Sequence, residues 1–167
     1  MSIRSLNIQT MTAAPFADAA NLTDAQHLSI QGSTASERLV VQELYVGGLA
    51  PSASSPMQMV FCRHSTVGAT LSLTATAKDA NLDATGATGT ARGYNTATTK
   101  PQRSATLGLL SAAFNAFGGN WKWQPSGVPG KDISTLGTGT TFGEAGLSNG
   151  TGGTSALVGG HILYEVM

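Results

Sequence analysis

Three stretches of the chain carry large apolar residues in patterns that β-strands show. Residues 70–76 alternate cleanly between apolar and hydroxyl side chains. This period of two is typical of an antiparallel strand with one buried face. The segments 38–46 and 57–63 are rich in β-branched and large apolar residues, and 38–46 ends at a double glycine that indicates a turn. The pattern therefore predicts three strands in the first half of the chain.

Weaker patterns mark both ends of the chain. A short alternation predicts a strand over 27–31, and the polar segment 1–20 is interpreted as an extended N-terminal arm or an edge strand. At the other end, apolar residues alternate through 161–166, which predicts a closing strand inside a sheet. Further short strands are expected around 133–136 and 156–158.

The spacing of large apolar residues changes in the middle of the chain. They recur at intervals of three, four and three, at Leu107, Leu110, Phe114 and Phe117. Such spacing places side chains on one face of a helix, and the double glycine at 118–119 is suited to end one. The pattern predicts a short helix over 106–117. The alternation of Trp121-Lys122-Trp123 then predicts a strand that stops near Pro125.

Two long segments contain few large side chains, and we interpret them as surface loops. These are 77–103 and 126–160, of which the second contains eleven glycines. Long loops in compact domains are often functional or ordered by a partner. Short strands with long turns predict an all-β fold, an antiparallel β-sandwich or jelly roll with one short helix and long Gly/Thr/Ala-rich loops. We expect a single domain over 1–167, with 1–20 as a possible extended arm.

Composition excludes several classes of protein. Ala, Gly, Thr and Ser make up 81 of the 167 residues, the formal net charge is zero, and 11% of the residues are charged. A nucleic-acid-binding protein needs an excess of Lys and Arg, and a helical bundle needs far more Glu, Lys and Leu. A single cysteine excludes a disulfide scaffold. No signal-peptide run or membrane-length apolar run is visible, so we expect synthesis in a cytoplasm and no membrane partner.

Motifs for catalysis or cofactor binding are weak. The segment 137–143 narrowly misses the dinucleotide-binding glycine pattern and lacks the strand–helix unit around it. Cys62 and His64 share a strand face, but a buried thiol beside a rim histidine is the simpler interpretation, because structural zinc normally has four ligands. No nucleophile elbow is present. We therefore expect no enzyme, no metal site and no cofactor.

Five aromatic residues are candidates for the core or for an interface: Phe114, Phe117, Trp121, Trp123 and Tyr164. Burial is the simpler interpretation, because few other large residues are available to fill the interior. The alternative is an exposed platform of Trp121 and Trp123 that stacks on sugars. Four basic residues are either solvated or face an acidic partner: Arg92, Lys100, Arg103 and Lys122.

The segment 109–119, followed by Trp121-Lys122-Trp123, resembles a stretch found in small virion proteins of tailed bacteriophages. The likeness covers about 37–167 and includes the later Gly/Ser-rich region and the closing strand at 161–165. Such proteins resemble head decoration, or cement, proteins. The resemblance implies a structural role on the exterior of an icosahedral phage head, with the major capsid protein and further copies of this chain as partners, a trimer being favoured over a dimer.

The same resemblance makes the four basic residues candidates for facing the capsid, and it implies no catalytic residues and no direct contact with nucleic acid. Two alternatives remain open. One is a minor tail or adaptor component of the virion. The other is a carbohydrate-binding or host-attachment module that uses the two tryptophans.

Overall fold

The computed structural model describes residues 2–12, 26–49, 56–66, 71–78, 89–93, 102–128, 132–137, 143–152 and 157–167. Within these ranges the chain forms strands and no helix, so the all-β prediction is confirmed. The strands are β1 (Ser2–Thr12), β2 (Gln26–Gln31), β3 (Leu39–Leu49), β4 (Pro56–Thr66), β5 (Leu71–Leu73), β6 (Thr76–Ala77), β7 (Thr90–Gly93), β8 (Gln102–Asn115), β9 (Phe117–Trp123), β10 (Ser134–Thr135), β11 (Ala145–Gly152) and β12 (Leu157–Val166). No helix in the described part of the chain is long and apolar enough to cross a membrane.

The strands form two antiparallel six-stranded sheets. Sheet A has the order β10-β3-β12-β1-β6, and β9 pairs with the same edge of β3 as β10 does. Sheet B has the order β5-β7-β2-β11-β4-β8. In both sheets the early strands pair with late ones, since β1 and β3 flank β12 while β2 and β4 flank β11. The two halves of the chain are therefore needed together to build either sheet.

The hydrophobic core lies between the two sheets. Sheet B contributes alternate residues of β4, namely Met57, Met59 and Phe61, and sheet A contributes alternate residues of β12 such as Ile162 and Tyr164. Side chains on a strand point to opposite faces in turn, so each sheet presents one apolar face inward and one largely polar face outward. This arrangement is a β-sandwich, as the sequence predicted.

The predicted helix over 106–117 is wrong, because this segment is extended. It forms most of β8, turns at Ala116 and enters β9. Leu110 and Phe114 are four residues apart, so they share a face in a strand as well as in a helix. Ser111 and Ala113 between them are exposed, which is the period of a strand. Backbone pairing of β8 with β4 decides between the two conformations, and only the tertiary structure supplies that partner.

The two predicted loops also contain regular structure. Within 77–103, β7 pairs with β2, and β8 begins at Gln102. Within 126–160, Ala145–Gly152 forms β11, a central strand of sheet B that sequence reasoning missed. Gly146 explains why a glycine-rich segment is suited to this position. A Cβ there would lie 2.5 Å from the carbonyl oxygen of Leu28 and 2.6 Å from the His64 ring, so only glycine fits without movement of its neighbours.

The remaining strand predictions are confirmed with shifted limits. The segments 27–31, 38–46, 57–63 and 121–123 lie in β2, β3, β4 and β9, and 161–166 lies in β12 between β3 and β1. The exception is the single strand predicted over 70–76, which is wrong as one element because the segment is divided into β5 in sheet B and β6 in sheet A. The short strand expected near 133–136 is β10. The one expected near 156–158 is the start of β12. At the N-terminus, residues 2–12 form β1, paired with β12 and β6, while 13–25 lie outside the described residues.

Candidate functional site on the outer face of sheet A

A charged network occupies the outer face of sheet A, where β3 lies between β9 and β12. The carboxylate of Glu43 on β3 lies 3.1 Å from Lys122 Nζ on β9 and accepts a hydrogen bond of 2.7 Å from His161 Nε2 on β12. The Gln124 amide also donates to this carboxylate. One acidic side chain thus joins three segments of chain across the face of the sheet.

Hydrogen bonds from His161 and then from Lys122 lower the pKa of the Glu43 carboxyl to about 2. Both partners favour the charged form of the carboxylate. Glu43 is therefore ionised at neutral pH and acts as a fixed acceptor, since a general acid would need a raised pKa. The negative charge of the carboxylate is balanced by the neighbouring Lys122 ammonium group. The network therefore holds three segments of chain together and adds little net charge to this face.

Tyr45 lies next to this network on the same face. Its ring stacks on the imidazole of His161, with centroids 5.6 Å apart and planes inclined by 21°. The pairing of β3 with β12 places the two residues directly opposite each other. The Tyr45 side chain also reaches over Gly47, where a Cβ would meet the ring at ordinary contact distance. The aromatic pair is therefore fixed between the charged network and the end of β3.

A groove of about 280 Å³ opens beyond Tyr45, where the ends of β3, β9 and β12 meet. It is lined by Tyr45, Gly47, Gly48, Leu49, Gly118, Gly119, Asn120 and Gly159. Five of these are glycines, so main chain forms much of the floor. At Gly48 the need for glycine is steric, because a Cβ would lie 2.1 Å from the carbonyl oxygen of Ala116. Gly118 has a φ of +76°, a conformation that L side chains rarely adopt.

Two large apolar side chains are exposed beside this groove. Leu49 and Phe117 are directly paired across β3 and β9, and their side chains are 52% and 51% exposed. Leu49 also lines the groove. Adjacent exposed apolar residues at a concave surface are typical of a contact site. The groove lining contains no carboxylate, histidine, cysteine or serine, so this surface is suited to binding and lacks the groups of a nucleophile–base pair.

A different polar cluster occupies the outer face of sheet B. Glu144, directly before β11, accepts a hydrogen bond from Ser29 Oγ on β2, and its Oε1 lies 3.4 Å from Nδ1 of His64 on β4. All three side chains are buried. In a hydrolytic triad the histidine stands between serine and acid, whereas here the acid contacts both other groups. We therefore interpret this cluster as structural.

Cys62 and His64 share the outer face of β4, as the sequence indicated. His64 is 1% exposed, so the expectation of a rim histidine is wrong. The alternation of β4 turns it away from the core but into surroundings closed to solvent. Cys62 is buried and forms no disulfide, and its Sγ lies 3.7 Å from Ser148 Oγ. Among the residues that the structure describes, no group of three or more His, Cys, Asp or Glu side chains is placed to hold a metal ion.

The candidate aromatic residues separate into core and surface. Tyr164 is fully buried, and Phe114, Trp121 and Trp123 are partly buried against the core. Phe117 follows the turn at Ala116 and is half exposed, so it does not share a buried face with Leu110 and Phe114, as the helical spacing predicted. The two indoles share a face of β9, as predicted, and that face is the inner one.

The four candidate basic residues do not form one described surface. Lys122 is half exposed and paired with Glu43. Arg92 lies on β7, between β5 and β2, and Arg103 lies on β8 at the far edge of sheet B; the structure describes only their backbone. Lys100 lies outside the described residues.

Sequence reasoning missed the residues that build the sheet A site. Glu43, Tyr45 and His161 all fall in correctly predicted strands, and the i, i+2 spacing of Glu43 and Tyr45 showed that they share a face. The pairing of β3 with β9 and β12 was not readable from spacing, because the three strands are far apart in sequence. Comparisons with protein-family models, with curated proteins and with solved structures find no match.

Proposed function

We propose that this chain is a structural virion protein of a tailed bacteriophage, a decoration or cement protein that binds the outer surface of the icosahedral head and stabilises it. Its partners are the major capsid protein and further copies of itself. The resemblance of 37–167 to such proteins motivates the proposal. The β-sandwich fold is compatible with it, and fold alone does not assign function.

The observation that carries the proposal is the exposed pair of Leu49 and Phe117 beside the glycine-floored groove. A contact surface on a shell must exclude water through shape, and apolar side chains next to a concave floor are suited to this. Because the floor is largely main chain, a partner segment can approach the backbone closely. We propose that this end of sheet A faces the capsid.

The balanced charge of the chain supports binding through shape complementarity and not through electrostatic attraction. The chain has a formal net charge of zero, and the Glu43 carboxylate is paired with Lys122 and His161 beside the groove. A surface of this kind offers little long-range steering to a charged partner. We therefore expect head binding to depend weakly on salt, in contrast to a protein that binds nucleic acid through phosphates.

The alternative functions are less well supported. The carbohydrate platform rested on Trp121 and Trp123, and both indoles pack against the core. The groove carries no nucleophile with a neighbouring base, so it offers no starting point for an enzyme mechanism. A minor tail or adaptor component would use the same kind of apolar contact, and location in the virion distinguishes it from a head protein.

The test uses phage heads assembled without this chain. Purified protein is added, co-sedimentation measures binding, and the temperature at which heads release DNA measures stabilisation. We expect wild type to bind and to raise that temperature, and Leu49→Ser/Phe117→Ser to bind at least about tenfold more weakly, since each truncation removes roughly 1 kcal/mol of apolar contact. Equal heat resistance with and without the chain contradicts the cement function.

A matched control keeps the interpretation specific. Val128 and Leu136 are 46% and 49% exposed and lie outside the groove lining. Val128→Ser/Leu136→Ser therefore removes similar apolar surface elsewhere, and we expect it to bind as wild type does. Equal weakening by both double variants contradicts the assignment of the groove. Binding at the tail in a virion reconstruction would replace the head assignment with the tail alternative.

A further inference from the structure

The outer edge of sheet B is formed by β8, the longest strand of the molecule. One side of β8 pairs with β4, and no described strand pairs with its other side. From 110 to 115 the pairing with β4 is regular, residue by residue, from Leu110↔Phe61 to Asn115↔Pro56. A regular edge strand offers a row of backbone donors and acceptors on its open side.

Within the described part of the chain, the other strands at sheet edges are short, charged or irregular. The edge strands β5, β6 and β10 have two or three residues each. The strand β9 carries a charged residue at Lys122, and β1 has an irregularity between Ile8 and Met11. Short strands, charges and bulges are the usual protections of sheet edges. The pairing of β8 with β4 is irregular before Leu110, and the segment 110–114 has none of these protections.

The sequence of this edge is uncharged over a long distance. Within β8, no Asp, Glu, Lys, Arg or Pro occurs from Ser104 to Asn115, and the charged residue of this strand is Arg103 near its start. The outward side chains near its middle are small and exposed, at Ser111 and Ala113. An identical strand from a second molecule would meet neither bulk nor charge there. A partner recognised by charge would find no counter-charge along this segment.

We propose that β8 pairs antiparallel with β8 of a second copy of this chain, across a twofold axis perpendicular to sheet B. Sheet B of one copy and sheet B of the other then form one continuous sheet of twelve strands. Antiparallel pairing of a strand with itself satisfies backbone groups on both copies at once. The neutral stretch makes the second copy the best-matched occupant, because it brings no unpaired charge to the edge.

This symmetry distinguishes the proposal from the trimer that the family resemblance implies. A strand that pairs with itself gives a closed dimer, since both copies use the same surface. The proposal does not depend on head binding, because the β8 edge belongs to sheet B and the groove to sheet A. The groove variant Leu49→Ser/Phe117→Ser is accordingly expected to dimerise as wild type does.

The test introduces charge at the two exposed positions and measures the mass of the full chain by light scattering and sedimentation over a range of micromolar concentrations. One variant is Ser111→Lys/Ala113→Lys, and the other is Ser111→Glu/Ala113→Glu. Twofold pairing centred on this segment sets like charges directly opposite each other in each variant, which destabilises cross-strand pairs. We expect wild type to be a dimer and each variant alone to dissociate with a dissociation constant raised at least about tenfold.

An equimolar mixture of the two variants restores dimers, because opposite charges then face each other across the strand pair. This rescue separates strand pairing from simple misfolding, since a variant that fails to fold is not rescued by another. Ser126→Lys/Val128→Lys adds the same charge at exposed positions outside β8 and is expected to stay dimeric. A monomeric wild type overturns the proposal, as does a dimer that the β8 variants leave intact or a mixture that remains monomeric.

Discussion

The two outer faces of the sandwich each carry a glutamate next to a histidine, in opposite surroundings. On sheet A, Glu43 and His161 lie 2.7 Å apart with side chains 14% and 27% exposed. On sheet B, Glu144 and His64 lie 3.4 Å apart with side chains 0% exposed. The two pairs have the same residue types and differ in exposure to water, so comparing them shows how burial changes the energetics of a Glu–His pair.

Burial changes both the stability and the use of the pair. An ion pair near water gains little, because solvent screens it and its side chains lose rotamer freedom. A buried carboxylate depends on its partners, since removal of one partner leaves polar groups without water to replace it. Sheet A therefore has a polar outer face that can meet a neighbouring molecule, whereas the cluster of Ser29, His64 and Glu144 on sheet B is internal structure.

The largest expected effect is at Glu144. We expect Glu144→Ala to lower the free energy of unfolding by about 3 kcal/mol, because Ser29 and His64 lose a shared buried partner. Glu43→Ala is the matched change on the other face, and we expect it to cost less than about 1 kcal/mol. Urea unfolding followed by circular dichroism measures both. Equal losses of unfolding free energy for the two substitutions would contradict the distinction drawn between the buried pair and the exposed pair.

The second effect concerns the glycines that face each cluster. We expect Gly146→Ala to destabilise the protein by about 2 kcal/mol, because the new Cβ meets a backbone carbonyl and the His64 ring. Gly47→Ala is the counterpart on sheet A, where the nearest atom is the Tyr45 hydroxyl oxygen at 3.4 Å, and we expect a change within about 0.5 kcal/mol. Thermal unfolding compares the two. A larger loss at Gly47 would contradict the closed packing assigned to sheet B.

The third effect is a pH dependence of the sheet A network. The folded pKa of Glu43, about 2, lies below its ordinary value of 4.5, so its stabilisation is present above pH 4.5 and is lost as the pH falls towards 2. Comparison with Glu43→Gln isolates this contribution, which solvent screening holds below about 1 kcal/mol. We expect the difference in melting temperature between wild type and variant to be largest near neutral pH and to shrink across this window. A difference in melting temperature that grows as the pH falls would contradict the lowered pKa of Glu43 in the folded state.

The smallest effect is at Lys122. Its side chain is 51% exposed, and we expect Lys122→Ala to cost about 0.5 kcal/mol or less at low ionic strength. The cost should fall further in high salt, because exposed pairs are screened. Lys122→Met retains most of the aliphatic stem, so it separates lost packing from lost charge. A salt-independent cost that appears in Lys122→Ala and not in Lys122→Met would assign the role of Lys122 to packing.

Sequence reasoning succeeded where a segment carries its own strong pattern. The strands β3, β4 and β12 contain enough β-branched and large apolar residues to predict extended structure without knowledge of their partners. It failed at β8, where residues four apart fit both a helix and a strand, and at β11, where glycine and small residues leave no apolar period. In both cases the missing information was the identity of the neighbouring strand.

The sequence by itself determined the all-β class and the low charge. It also determined that Glu43 and Tyr45 share one face of their strand, and that the two indoles share one face of theirs. Alternation is a local property of the backbone, so it is legible in a single segment. Tertiary structure alone decided that Glu43 meets Lys122 and His161, that Glu144 and His64 are closed to water, and that Phe117 is exposed. These outcomes depend on pairing between residues distant in sequence, where register and burial are set by the whole sandwich.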